Sequence, residues 1–298
     1  MNSCALIITF NRLAKLKKCL DASIAAGFDL IVIVNNGSTD GTAEWLMNCP
    51  FTQVRVLSLP DNTGGAGGFS YGLRHIAQHV DTDWVFLYDD DAYPVNDIIA
   101  RFLRVNMQYK YAAYCGKVVD LEGNVCRMNL PFIYFPDSLR DDIRYVINRD
   151  RFIVGENYQQ VSSFSFVGAI LEKDFIARNL DGLHPELFLY FDDVYFSYSA
   201  CLKGDIIFYF PEVIFHHDIN VDVNNVHPEW KVYYLIRNIF LSRFIFKSSP
   251  PFGWFAMISR VIKYTAIIIL QKRKREYAKY IIKGIWHGVK GKKGKLVE

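Results

Sequence analysis

The chain opens with two short, unbroken apolar runs, "CALIIT" at residues 4–9 and "LIVIVN" at residues 30–35. Runs of this length bounded by polar turns read as buried strands, and the apolar positions of the intervening "NRLAKLKKCLDASIAAG" recur at helical spacing until Gly27 stops them. The alternation continues past the turn cluster "NNGSTDGT" with a helix-like "AEWLMNC", a strand-like "VRVLSL", a helix "GGFSYGLRHIAQHV" and a strand "DWVFLY". Strands alternating with helices predict an α/β fold with a mostly parallel sheet flanked by helices, whose ligands bind beyond the carboxyl ends of the strands. Thr9, Asn35 and Asp89 stand at those ends. Between about 112 and 165 the pattern weakens into shorter strands and loops. It sharpens again at "FVGAILEKDFIARN" and "LFLYFDDVYFSYSACLKG", then gives a strand "IIFYF", the segment "PEVIFHHD", and helices from Trp230 onward.

Three successive carboxylates, Asp89, Asp90 and Asp91, end one predicted strand. Their repulsion has to be offset by a cation, by hydrogen bonds or by water. In extended backbone, residues i and i+2 share a side, so Asp89 and Asp91 could meet on one divalent cation; the plainer reading is an acidic turn that caps the next helix. The glycine-rich "NTGGAGGFSYG" allows backbone to approach a ligand at a helix start, but it has neither the Lys-Ser/Thr of a P-loop nor a dinucleotide pattern. Asp192 and Asp193 in "YFDDVYFS" read either as a general base held near a bound ligand or as an N-cap. In "FHHD", one of His216 and His217 could complete a two-Asp metal site, since neighbours on a strand point to opposite sides. His75 and His79, at i and i+4 without a HExxH glutamate, read as an ordinary helix face.

Composition narrows the class. A chain of 298 residues that is 51% hydrophobic and 22% charged is globular. Its net charge of +3 is unevenly placed: residues 260–298 carry twelve Lys/Arg against two Glu, leaving 22 basic against 29 acidic side chains before them. That is an acidic body with a basic tail. The six scattered cysteines include no CxxC pair, which argues against a zinc ribbon or disulfide scaffold and fits a reducing cytoplasm. No signal-peptide pattern opens the chain, and the apolar stretch near the end is interrupted by Arg260 and Lys263 and makes a poor spanning helix.

Taken in order, "ITFNR", "VNNGSTDGT", "NTGGAGGF", "LYDDDAYP", "LFLYFDD" and "YYLIRN" resemble glycosyltransferase family 2 with its GT-A fold, over about residues 3 to 245. Within the family, the "GGAGGF" loop, the "FDD" pair and the Trp…Tyr-Tyr…Arg-Asn helix are most similar to bacterial galactofuranosyltransferases. The resemblance implies an inverting enzyme that moves a sugar from a UDP-sugar, galactofuranose first among candidates and rhamnose or another hexose in reserve. The acceptor would be a glycan or polyprenyl-linked glycan of the O-antigen or capsule type. Asp89 and Asp91 would match the DxD motif, binding Mn²⁺ or Mg²⁺ with the donor pyrophosphate, with Asp90 between them also at the donor. His217 would be the metal-binding histidine, with His216 the alternative. Asp193 would be the catalytic base, and Asp192 and Trp230 would contact the acceptor. Thr9, Arg12, Asn36, Asn62 and Gly65 would line the nucleotide-sugar pocket, and Tyr234 and Arg237 would lie on the helix that closes it. Two positions depart from the pattern: Asn36 where Asp is frequent, and Tyr195 where an acid commonly follows the base.

A GT-A domain over residues 1–230 would then be followed by a helical, basic region over 231–298. A basic amphipathic helix pair reads as binding anionic lipid, which would place the protein at the cytoplasmic face of a membrane; deletion of 250–298 would release it and spare donor hydrolysis. The alternative is a pair of terminal helices packed on the body. The final "GVKGKKGKLVE" reads as disordered. A nucleotidyltransferase is the rival enzyme, although "TFNR" lacks its early glycines, and a non-catalytic sugar- or lipid-binding scaffold is the rival non-enzyme. No nucleic-acid motif accompanies the tail charge.

Overall fold

The structure is a computed structural model that describes residues 1–136, 138–219 and 226–296. One mixed sheet forms its centre, with strands in the order β3-β2-β1-β4-β8-β6-β9-β5 and β7 paired to β9. β1 (Ser3–Thr9), β2 (Leu30–Asn36), β3 (Val54–Leu59) and β4 (Trp84–Asp89) are parallel, as the strand–helix alternation requires. The helices between them are α1 (Leu13–Ala26), α2 (Thr42–Met47) and α3 (Gly64–His79). Gly27 closes α1 at φ 80°, a conformation glycine adopts without strain. Side chains alternate about the sheet: Cys4, Leu6 and Ile8 pack with Phe69, Leu73 and Ile76 of α3, while Ala5 and Ile7 pack with Leu16, Cys19 and Leu20 of α1. Period-two alternation with apolar residues at both parities is what a strand covered on both sides must show.

Beyond β4 the sheet is no longer parallel. After β5 (Ala92–Pro94) and α4 (Ile98–Tyr109) come β6 (Ala113–Val119), α5 (Leu139–Ile147), β7 (Gln159–Val161), β8 (Ala169–Glu172), α6 (Lys173–Arg178), α7 (Asp192–Leu202) and β9 (Ile207–His217). β8 runs antiparallel to both β4 and β6, and β9 is parallel to β6 and antiparallel to β5. The segments "IIFYF" and "PEVIFHH" are one strand. Pro211 is accommodated because β9 bulges there, Phe210 pairing with Gly116 and Ile214 with Lys117. Gly116 is required opposite the bulge, since a Cβ would lie 2.4 Å from the Val213 carbonyl oxygen.

The last three helices are α8 (Lys231–Ile245), α9 (Trp254–Ala266) and α10 (Lys274–Val289). α8 is buried along much of its length: Tyr233, Tyr234 and Ile236 pack with Tyr277, Tyr280 and Ile281 of α10, and Ile239 and Leu241 join Tyr195 of α7. Tyr195 donates its hydroxyl to the Asn238 carbonyl at 2.8 Å, so this position binds α7 to α8. The expectation of a disordered end over 288–298 does not hold for residues 288–296, which finish α10 and then dock along the body, while 297 and 298 lie outside the described residues.

Candidate active site

β1 sits centrally, with β2 on one side and β4 on the other, so the crevice at their carboxyl ends is a topological switch point where an α/β sheet binds ligands. The register pairs Ile8 with Asp89, which sets Thr9 beside Asp90. Thr9 Oγ1 donates to Asp90 Oδ2 at 2.8 Å, and Arg12 Nη1 reaches both Asp90 Oδ1 at 3.2 Å and Asp91 Oδ2 at 2.6 Å. Lys15 Nζ is 3.5 Å from Asp91. The β5–β9 pairing sets Ala92 against His217 and brings the histidine to Asp91 from the far end of the chain, with His217 Nε2 3.3 Å from Asp91 Oδ1. His216 points the other way, its Nδ1 at 3.5 Å from the Asp120 carbonyl. The geometry therefore joins His217, and not His216, to the aspartates.

The three carboxylates are held unequally. Burial, with Asp91 and Asp90 beside it, pushes Asp89 well above the ordinary carboxylate range. Burial raises Asp90 to about 6 against the pull of Arg12. Burial also works against Asp91, but the His217 contact and the Arg12 and Lys15 charges hold it below the usual value. Across the crevice, Asp192 and Asp193 begin α7. Burial and their mutual repulsion raise Asp192, and burial raises Asp193 against donors from Val194, Phe166 and Ser165. Asp192 also adds to the shift on Asp89, so the two acidic clusters share one crevice.

His217 Nδ1 lies 3.1 Å from Asn129 Oδ1, whose amide nitrogen is committed to Ser165 Oγ at 2.9 Å. Nδ1 thus carries a proton, and Nε2 faces a carboxylate oxygen, donating to it when the ring is an imidazolium and leaving two acceptors face to face when the ring is neutral. Two acceptors facing each other is an arrangement that a cation satisfies, so Asp91 and His217 fit a divalent metal ion. Among the described residues, no three His, Cys, Asp or Glu side chains group closely enough to hold one by themselves. Mg²⁺-type sites commonly use one or two carboxylates and complete their shell with substrate phosphates and water.

Asp192 and Asp193 hang from a strained loop. Phe188, Tyr190 and Phe191 have φ of 65°, 67° and 68°, each a conformation that costs on the order of 1–3 kcal/mol for a non-glycine residue. The loop is held by "RN" of "YYLIRN". Asn238 Nδ2 donates to the carbonyls of Leu187, Leu189 and Tyr190, and Arg237 Nη2 to that of Leu187 at 2.6 Å. Arg237 also binds the carbonyl of Gly294 and is 0% exposed, so it fastens the loop and the C-terminal segment instead of facing the crevice. Arg237→Met would leave these buried acceptors unmade and is expected to destabilise the fold by on the order of 3 kcal/mol. A urea unfolding midpoint within error of the wild-type value would contradict this.

Three further expectations are corrected. Asn36 is buried, its Nδ2 donating to the Gly64 carbonyl and its Oδ1 accepting from the Thr63 N–H and hydroxyl, which leaves no edge to read a base. Thr9 is buried and supports Asp90. The glycine-rich segment serves packing: a Cβ on Gly64, at φ 74°, would fall 1.9 Å from the Phe188 carbonyl oxygen, and one on Gly68 would fall 2.5 Å from Ile8. Only Gly65 among the first glycines of α3 has open space beside it.

Asn62, Phe188, Trp230 and Tyr234 line a cavity of about 240 Å³, closed by Lys295 and Leu296. The Leu296 N–H donates to the Tyr234 hydroxyl at 2.8 Å, and Lys293 Nζ pairs with Glu186 at 2.8 Å, so the end of the chain forms one wall. The size is below the ~300–1,000 Å³ of a drug-sized ligand's pocket and suits one sugar ring beside aromatic faces. Lys231, next to Trp230, completes the site. Burial and then Arg12 hold its ammonium below the ordinary lysine value, with Asp91 opposing, and sequence reading did not single it out. A larger cavity of about 370 Å³, lined by Asn2, Asp29, Arg55 and Asp81, lies at the amino ends of β1 and β2, the opposite end of the sheet from these groups.

Comparison with known proteins agrees with this geometry. A profile described as Glycosyl transferase family 2 matches residues 4–190. The chain is 28% identical over 130 residues to "Galactofuranosyltransferase GlfT1" of Mycolicibacterium smegmatis, covering 43% of this chain and 40% of that protein. It is 32% identical over 123 residues, 40% of each, to the protein of that name from Mycobacterium tuberculosis. The chain thus spans about two fifths of the curated relatives it matches. Its fold resembles S. aureus TarS 1-349 in complex with UDP-GlcNAc (TM-score 0.56, 13% identity, 98% of this chain and 90% of that one). It also resembles GalNAc-T7 with UDP, GalNAc and Mn²⁺ (TM-score 0.56, 12% identity, 95% and 54%). With the switch-point crevice, the aspartate cluster and a profile over more than half its length, the chain has the GT-A fold and belongs to glycosyltransferase family 2.

Proposed function

We propose that the protein is an inverting, metal-dependent galactofuranosyltransferase that takes galactofuranose from its UDP conjugate onto a glycan or polyprenyl-linked glycan of a surface polysaccharide. The observation that carries the reading is the aspartate cluster at the carboxyl ends of β1 and β4, where His217 meets Asp91 and Asp192 lies within electrostatic reach of Asp89. The family supports a sugar transfer and the mycobacterial relatives support the donor. Asp91 and His217, with Asp89 nearby, would hold Mn²⁺ or Mg²⁺, which would supply positive charge to the donor diphosphate and its leaving oxygen.

The chain's own groups account for the rest. Arg12, Lys15 and Lys231 bring positive charge to the edge of the acidic crevice. Trp230, Tyr234 and Phe188 offer apolar faces to a sugar ring. Asp193 accepts the proton of the acceptor hydroxyl as that oxygen attacks the anomeric carbon and UDP departs from the opposite side. A carboxyl raised by burial suits this role better than an exposed one, because its proton affinity is closer to neutral pH. Asp192→Asn is expected to leave the acid limb of kcat near its wild-type pH, because Asp192, raised further than Asp193, is already protonated while Asp193 ionises. It should also stabilise the protein at neutral pH: a buried carboxyl with a raised value loses stability as pH rises through that value. An acid limb displaced in this variant would argue that Asp192 and not Asp193 carries the titration.

Turnover of UDP-galactofuranose, UDP-galactopyranose and dTDP-rhamnose tests the donor. Preferential use of the first is expected; preferential use of another keeps the transferase and discards galactofuranose.

Membrane attachment belongs to the same proposal. Trp254, Ile258 and Ile262 are exposed along one side of α9, and Ile282, Trp286 and Val289 along α10, among exposed Lys263, Lys272, Arg273 and Lys279. Apolar stripes flanked by cations fit an anionic lipid surface. α5 adds exposed Leu139, Ile143 and Ile147. Among the described residues, no helix is long and apolar enough to cross a membrane. Because Lys295 and Leu296 wall the crevice, deletion of 250–298 would disturb the site as well as the surface. Substitution is the cleaner test: the Trp254→Ser, Ile258→Ser, Ile262→Ser triple variant is expected to lose co-flotation with phosphatidylglycerol vesicles and keep UDP binding. Undiminished flotation would contradict this surface.

A further inference from the structure

The metal-facing side of the crevice and the catalytic base are joined by a single line of hydrogen bonds through two residues that have no part in the chemistry described above. We propose that Asn129 and Ser165 are positioning residues that hold His217 and Asp193 together in their working states. This rests on the reading of Asp193 as base and of His217 as a metal-facing ligand.

The direction of the line is fixed link by link. Asn129 lies in the short 3-10 turn Arg127–Asn129 and is buried. Its amide nitrogen donates to Ser165 Oγ at 2.9 Å, so its oxygen must be the atom that accepts from His217 Nδ1 at 3.1 Å. Ser165 has then used a lone pair on Asn129, and its own O–H is free for the Asp193 carboxylate, whose ionised form it favours. Read from one end, His217 donates to Asn129, Asn129 to Ser165, and Ser165 to Asp193. A chain with that polarity is complete only when Nδ1 of His217 carries the proton and Asp193 is an acceptor. It therefore aims Nε2 at Asp91 and favours the ionised Asp193 needed by a base. An asparagine is required in the middle, because it offers a donor and an acceptor on opposite ends of one planar group.

The charged groups about Asp193 are Asp192 beside it on α7 and, against Asp192, Asp89 at the end of β4. Burial is what opposes the ionisation of Asp193. Backbone N–H groups of Val194 and Phe166 favour it, and Ser165 is the side chain that joins them.

The test uses the full chain with UDP-galactofuranose in water, following kcat against pH, together with Mn²⁺ titration in the presence of UDP. Ser165→Ala removes the last donor and is expected to move the acid limb of kcat to higher pH, so that activity at pH 6 falls about tenfold more than activity at pH 8. Ser165→Thr, which keeps the hydroxyl, is expected to restore the limb. Asn129→Leu is expected to weaken Mn²⁺ binding about tenfold or more, the size typical for loss of a group that orients a metal-facing histidine. Asn129→Asp keeps the acceptor for His217 but cannot donate to Ser165, so it should spare Mn²⁺ affinity while shifting the limb. Ser165→Ala with a limb parallel to the wild type and only a lower amplitude would overturn the proposal, as would Asn129→Leu with unchanged Mn²⁺ affinity. Failure of the unmodified chain to turn over the donor would instead overturn the reading of the site, and the positioning roles with it.

Discussion

Asp193→Asn is expected to lower kcat about 10²–10⁴-fold, the range lost with a general base, while the dissociation constant for UDP stays within a few-fold of the wild-type value. The substitution keeps shape and one acceptor oxygen, and the Val194 N–H that donates to Asp193 Oδ1 at 2.7 Å can still be met. What disappears is the proton acceptor. The raised Asp193 value places the loss across the neutral range, since burial is what brings this carboxyl near the operating pH. Initial-rate kinetics with separate UDP titration check the split. A variant that loses UDP binding in parallel with rate would show Asp193 to be part of the binding surface instead.

The second large effect falls on Asp91. Asp91→Asn removes a negative charge that Arg12 meets at 2.6 Å, Lys15 at 3.5 Å and His217 at 3.3 Å. In the wild type these partners, working against burial, hold the carboxyl below its ordinary value. The variant should lose Mn²⁺ affinity by about 100-fold or more, beyond the ~10–100-fold typical for an orienting group, and Mn²⁺-dependent UDP binding with it. Sign matters for stability. A carboxyl whose folded value is depressed stabilises the fold above its unfolded value near 3.9 and loses that contribution as pH falls through the folded value. The variant should therefore be less stable than the wild type at pH 7 and lose the difference as pH falls through the lowered folded value. Equal melting temperatures at pH 7 would contradict the ion-pair account.

Much of this site was legible in the chain because it depends on local pattern. The parallel strands up to Asp91 follow from runs and turns, and Thr9 and the aspartates fall at their ends for that reason alone. The histidine pair stands out by its position after an apolar strand, and the β5–β9 register then sets His217, not His216, beside Asp91. What was not legible depends on long-range packing. Asn36 and Arg237 look like ligand-facing polar groups, but each is spent on backbone carbonyls or N–H groups of a distant loop. Asn129 and Ser165 carry no signal, since a lone Asn or Ser in an irregular stretch matches any turn. α5 did leave a mark that went unread: Ser138 accepts from the Asp141 N–H at 3.2 Å, and "SLRD" is the pattern of a capped helix start.

The glycines of α3 teach the same lesson about mechanism. A glycine-rich segment before a helix suggests a phosphate cradle, yet here Gly64 lets the strained Phe188 turn approach and Gly68 and Gly72 bring α3 close to β1. The quoted motifs "GGAGGF", "LFLYFDD" and "YYLIRN" are thus one packing unit that fixes where Asp192 and Asp193 stand.

Calorimetric titration of UDP into the full chain tests the central claim most directly, with Mn²⁺ and then with EDTA. The account predicts binding with Mn²⁺ that is abolished or strongly weakened by EDTA and by Asp91→Asn. UDP binding of equal strength in all three conditions, or none in any, would contradict a metal-assisted nucleotide-sugar site at the ends of β1 and β4.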